Sequence, residues 1–217
     1  MLTAIINQPE FSYFIIASLL LIIAPGPDIL FLITQSLNHG AKAGFLTALG
    51  LASGNLIHTA AAAFGISAIL QTSDVAFTSL KLIGTAYLLF LAYPLLISTN
   101  PQRSIHSTIK TNPTRASFYN KGLLLNILNP KIALFFLAFL PQFVPSTSTQ
   151  QPIEIIFLGI LFTVIVVIIF TSISLITAKT KKPLYISSIN RNLFNRLTAV
   201  IFILLAVNLF LSSQPLV

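Results

Sequence analysis

A chain of 217 residues that is 55% hydrophobic and only 7% charged is not a soluble domain, because soluble domains carry about a quarter charged residues. The absence of cysteine excludes a disulfide framework, a thiol nucleophile and a thiolate metal site. A net charge of +8 invites a nucleic-acid reading, which the placement of the basic residues argues against below.

A helix needs about 20 predominantly apolar residues to cross the hydrocarbon core. Six stretches meet that need, at about 11–37, 43–70, 77–98, 118–141, 153–178 and 197–213. The predicted fold is therefore an all-α integral membrane protein with no stretch left over for a soluble domain. The segment from Phe11 to Ala24 lacks a basic leader and a small-residue cleavage site, so it reads as a retained first span. Its Phe11, Tyr13 and Phe14 read as an interfacial anchor.

The first span is long and holds Pro25, Gly26, Pro27 and Asp28. Proline lacks a backbone donor and clashes with the preceding turn, so the helix breaks there. In hydrocarbon the freed backbone groups need another partner, which confines such breaks to protein interiors and cavity walls. The second span carries Gly50, Gly54, His58 and Ala62 at four-residue spacing, hence on one face. Small residues so spaced mark close helix packing. His58 is either a hydrogen-bonded member of that contact or a proton carrier, since histidine titrates near neutrality. Tyr87 in the third span either reaches a cavity with its hydroxyl or packs.

The fourth span repeats the break, with Asn126, Asn129, Pro130 and Lys131. The two asparagines, three apart, share a helix face. Their amides can satisfy backbone groups freed by Pro130, bond a neighbouring helix or hold a substrate carboxylate. Asp28 and Lys131 are charges inside spans, and such residues pair or line a pathway. They form either a fixed ion pair or the two poles of a zwitterion site, with Asp28 on the ammonium and Lys131 on the carboxylate. Asp28 also rivals His58 as the proton carrier.

Loop lysines and arginines set orientation. Ten of the twelve follow spans one, three and five: Lys42; Arg103, Lys110, Arg115 and Lys121; and Lys179, Lys181, Lys182, Arg191 and Arg196. This places those connections in the cytoplasm and both termini on the other side. The basic charge is then an orientation signal and a contact for anionic lipid, with no nucleic-acid partner. His39 and His106 fall in the cytoplasmic connections and read as solvated. Three spans per half make the halves inverted repeats, at about 11–98 and 118–213 around a connection at about 99–117, within one transmembrane domain. Helices one and four are the broken ones, at Pro25/Pro27 and at Pro130.

Several runs together resemble the LysE/RhtB family of bacterial amino-acid exporters, nearly end to end: Ala24 to Asp28, Gly50 to His58, Gly84 to Leu88, and above all Lys121 to Lys131 continuing through Phe135-Phe136 to Leu140-Pro141-Gln142-Phe143. Span six departs from the pattern, with Ala199 and Ala206 where glycine is expected. The resemblance implies proton-driven export of small amino acids or close derivatives across the inner membrane. The Gly54-Asn55 and His58 pattern is similar to the homoserine, threonine and neutral amino-acid branch. The basic amino-acid branch tends to have an acid where Asn55 stands.

Three rival classes compete with export. An intramembrane enzyme would need an activated nucleophile or clustered metal ligands, and three histidines and four acids are spread too thinly for that. A cation or metal exporter would want several carboxylates or imidazoles together. A passive small-solute channel would show export indifferent to a proton uncoupler. No cofactor or metal is implied, and the small-residue stripes are compatible with a homodimer.

Overall fold

Among the described residues eight α-helices follow one another: α1 (Pro9–Ile23), α2 (Pro27–His39), α3 (Ala41–Ala60), α4 (Asp74–Ile97), α5 (Arg115–Ile127), α6 (Pro130–Leu134), α7 (Gln151–Thr180) and α8 (Ser188–Leu211). The π-helical segment Ala61–Ile66 continues α3, and Phe135–Phe139 and Leu140–Phe143 continue α6 as π and 3₁₀ turns. This computed structural model describes residues 9–24, 26–66, 74–97, 114–144, 148, 150–180 and 188–211, and these include no strand. Pro25, the connection at 98–113 with Arg103, His106 and Lys110, Lys181 and Lys182, the side chain of Arg191, and both chain ends lie outside the described residues.

Local chemistry explains where these helices begin and turn. Pro27 opens α2, where its missing N–H costs nothing. Gly40 has φ +81°, a conformation glycine adopts without a Cβ penalty, and so α2 turns into α3 within one residue. The Thr114 side chain accepts from Ser117 N at 3.3 Å at the start of α5, and Asn129 accepts from Lys131 N at 3.0 Å at the start of α6. Both are N-caps, supplying an acceptor to a donor that the helix leaves open.

Among the described residues two helices, Ala41–Gly65 and Gln151–Thr180, are long and apolar enough to cross a membrane. The pairs Phe11–Ile23 with Pro27–His39 and Arg115–Ile127 with Pro130–Phe143 qualify as bent spans, at 53° and 52°. These bends stand at the two expected breaks. The stretches 77–98 and 197–213 contribute shorter apolar helices, Lys81–Ile97 and Phe202–Leu211.

The centre of the molecule is α3, packed between α5 and α7. A Cβ added to Gly50 would run into the Tyr119 carbonyl, and one added to Gly122 would lie 2.5 Å from the Thr47 carbonyl. Two backbones therefore meet without intervening side chains, as small residues permit. Farther along, Gly54 lies against Asn126, so α3 and α5 run parallel. Against α7 the order reverses. Ala41 accepts from the Ser174 hydroxyl at 3.1 Å, while Gly159 lies against Thr59. The starts of α3 and α5 and the end of α7, with Lys42, Arg115 and Lys179, thus share one face. Beside this core, α4 and α8 pack chiefly on each other, and Ala199 and Ala206 of α8 are buried.

The N-terminal aromatics divide. Tyr13 is exposed, as an interfacial anchor would be, but Phe14 is fully buried, its ring edge-on to Phe143 with centroids 5.5 Å apart. Phe14 points inward from the same helix and belongs to the core, a correction to the anchor reading.

Candidate functional site

Proline at position 25 has no N–H, so the carbonyl four residues earlier, that of Leu21, loses its helical donor. The structure fills this gap from the other half of the chain. Lys131 Nζ donates to the Leu21 carbonyl at 3.3 Å and to the Ala24 carbonyl at 3.3 Å. Its third donor goes to Asp28 Oδ1, also at 3.3 Å. An ammonium has three donors, and all three are engaged. The charges suit their places, with Lys131 at the carbonyl end of α1 and Asp28 in the first turn of α2, where the helix dipole favours a cation and an anion respectively. Both side chains are almost wholly buried. Gly26 makes the room: a Cβ there would sit 2.6 Å from Asp28 Oδ1 and 2.8 Å from Lys131 Nζ.

The second break is handled the same way. Pro130 cannot donate to the carbonyl of Asn126. His58 Nε2 lies 3.2 Å from that oxygen, and a carbonyl only accepts, so Nε2 carries the proton. Asn129 N closes on the same carbonyl at 3.0 Å. The His58 ring stacks on Phe136, with centroids 5.9 Å apart. Thus each break exposes a carbonyl that a side chain of the opposite half takes up: Lys131 for the first, His58 for the second.

Around the second break the amides are only partly used. Asn126 Nδ2 donates to Asn55 Oδ1 at 2.9 Å. Asn55 Nδ2, Asn126 Oδ1 and Asn129 Nδ2 are buried without a partner. Buried polar atoms of this kind are few in native proteins and call for an explanation. Here two sets of N–H donors and one acceptor stand open in the interior, which is the complement of a carboxylate and an ammonium.

The structure thus brings Asp28 to Lys131, and Asn55 and His58 to Asn126. It does not bring Tyr87 to either group. That side chain is half-buried beside Phe90, centroids 5.9 Å apart. Sequence reasoning missed Glu154, in the first turn of α7. It falls at the very start of the fifth apolar stretch, 153–178, where a side chain reads as the wet end of a span. Yet it is buried, with Oε2 lacking a partner, so Asp28 is not the only buried acid among the described residues. Among the described residues no three His, Cys, Asp or Glu side chains are grouped to hold a metal ion.

The family described as LysE type translocator matches residues 19–213. A protein of Bacillus subtilis named "Uncharacterized membrane protein YrhP" is 30% identical over 199 residues, 88% of this chain and 93% of the relative. The "Leucine efflux protein" of Salmonella typhimurium is 29% identical over 146 residues, covering 67% and 68%. That of Klebsiella pneumoniae is 28% identical over 152 residues, covering 70% and 71%. No solved structure matches. With a family match over nearly its whole length, this chain belongs to the LysE type translocators and is a multi-pass membrane translocator, not an enzyme.

Proposed function

We propose that this protein exports neutral amino acids from the cytoplasm in exchange for protons, through a site at its two proline breaks. The observation that carries the reading is the reciprocal arrangement of those breaks, each closed by a side chain from the opposite half. Paired breaks in corresponding places are the mark of a transporter's binding site. The relatives named for leucine efflux support an amino acid as substrate. Asn55, a neutral residue facing Asn126, supports a neutral one over a basic one.

In this reading the domain has six spans in two inverted repeats. The bent pairs α1–α2 and α5–α6 are spans one and four, α3 and α7 are two and five, and α4 and α8 are three and six. Lys42, Arg115 and Lys179 face the cytoplasm of a bacterial cell, across its inner membrane, and both chain ends face away from it. Lys131 turns from Asp28 to the substrate carboxylate, with help from the open amides of Asn129 and Asn55, and protonation of Asp28 on the outer side later lets the substrate go. Asn126 Oδ1 and the ionised Asp28 receive the ammonium. Tyr87 is the outlying member of the set. The repeats rock about this point, and the proton favours one orientation over the other, as coupling requires.

Cells overproducing the protein and fed dipeptides test this. Leucine or another neutral amino acid is expected to leave the cells several-fold faster than in controls, and an uncoupler to abolish the gain. Loss that persists with uncoupler would make the protein a passive channel. Retention of every amino acid, with altered metal tolerance, would make it a cation exporter.

His58 separates packing from coupling. His58→Gln keeps a donor for the Asn126 carbonyl, so membrane levels are expected within about twofold of wild type, since the hydrogen bond is worth about 1 kcal/mol. Efflux driven by an imposed pH gradient is expected to fall at least about tenfold, the size of a lost coupling group. Unchanged gradient-driven efflux would assign the proton to Asp28 alone.

A further inference from the structure

We propose that the crevice between the α4–α8 pair and the second break is the side-chain subsite of the transport site, and that it selects aliphatic over hydroxylated amino acids. This rests on the exporter reading above and deepens it. The crevice is walled by residues that include Gly84 and Leu88 of α4, Leu205 and Leu209 of α8, Ala138 beyond α6, and Lys131. Lys131 is the one polar side chain among the described residues on that wall. A lysine on the wall of an apolar slot, which Phe135 and Phe139 also line, fits a molecule with an anionic head and a hydrocarbon tail.

The slot offers a side-chain hydroxyl nothing to bond. Threonine and homoserine would bury an unmade hydrogen bond there, a penalty of about ten- to hundredfold in affinity. Valine, leucine and isoleucine carry no such penalty, and each methylene they bury tightens binding about fourfold. The family branch that the Gly54-Asn55 pattern resembles is thus narrowed to its aliphatic members.

The crevice now has about the room of one water molecule. It is the closed state of the subsite, and the pair α4–α8, packed chiefly on itself, is the element free to move away and open it. Gly84 sets its depth. A Cβ at that position would lie 2.9 Å from Ala138 Cβ and 3.0 Å from Leu209 Cδ2, so a single methyl fills the point where the two walls meet.

The test is binding of L-alanine, L-valine, L-leucine and L-threonine to the purified full chain in lipid nanodiscs, alongside export of the same four from dipeptide-fed cells. Affinity is expected to rise from alanine through valine to leucine, and valine to exceed its near-isostere threonine at least about tenfold. Gly84→Ala is expected to cut the leucine-to-alanine affinity ratio at least about tenfold. If that variant does not fold, Leu88→Ala serves, since it deletes volume; it is expected to lower the same ratio several-fold and to admit phenylalanine. Equal binding of valine and threonine, or a ratio unmoved by both variants, would overturn the subsite while leaving the exporter reading intact. A wild-type protein that neither binds nor exports any of the four would overturn both.

Discussion

Lys131→Ala is expected to abolish export and to remove most of the folded protein from the membrane. The substitution strands the buried Asp28 carboxylate, and breaking a buried ion pair from one side costs about 3–5 kcal/mol. It also leaves the Leu21 and Ala24 carbonyls without the donor that now lies 3.3 Å from each, at about 1–3 kcal/mol for each buried group left unmade. Together these come to about 5–11 kcal/mol, comparable with a typical domain's whole margin of about 5–15 kcal/mol. The informative comparison is the neutral pair Asp28→Asn with Lys131→Gln, which removes both charges at once and keeps an amide donor for the carbonyls. Membrane levels of the double variant, measured by immunoblot and by size-exclusion of the solubilised protein, are expected within about threefold of wild type, the net worth of a buried pair being small. On the proposed mechanism its dipeptide-fed efflux is expected to stay below about 1% of wild type, because the charges proposed to meet the zwitterion are gone. Recovery of efflux along with the fold would mean that Asp28 and Lys131 serve only each other.

The second large effect belongs to the contact between α3 and α5. Gly50→Val drives a side chain into the Tyr119 carbonyl, and no rotamer relieves a collision with backbone. Overpacking costs about 1–3 kcal/mol when neighbours can shift, and more is expected where two helices must separate. The consequence reaches the site, since the same helix pair carries Asn55, His58 and Asn126. Membrane level and thermal stability are both expected to fall, with residual protein inactive. Gly65→Ala is the control: a Cβ there meets nothing within 4 Å, and both quantities are expected to stay at wild-type values. Wild-type behaviour of Gly50→Val would mean that the two helices do not approach at this residue.

Much of the frame was legible because the signals are local and chemical. Apolar runs separated by basic connections specify helices, and Pro25, Pro27 and Pro130 specify where two of them bend. The four-residue spacing of Gly50 and Gly54 announced a close contact without naming the partner. What was hidden is what depends on the third dimension. No pattern along the chain says that Lys131, 110 residues away, reaches the carbonyl that Pro25 frees. Nor does any pattern say that His58 does the same for Pro130. Glu154 and Phe14 both sit near the ends of apolar runs, where exposure is the default, and only the packing of other helices against them decides otherwise. Tyr87 is the converse case. The sequence left cavity and packing open for it, and it packs beside Phe90, whereas the wall of the crevice includes Gly84 and Leu88 of the same helix.

The reciprocal closure of the breaks has a consequence for biosynthesis. Asp28 and its ion-pair partner are separated by 103 residues, so at about 5–20 residues per second the ribosome takes roughly 5–20 s to deliver the lysine. Throughout that interval the first bent helix holds a carboxylate and two open carbonyls at membrane depth. A fragment ending before residue 131 therefore lacks the side chain that closes the first break.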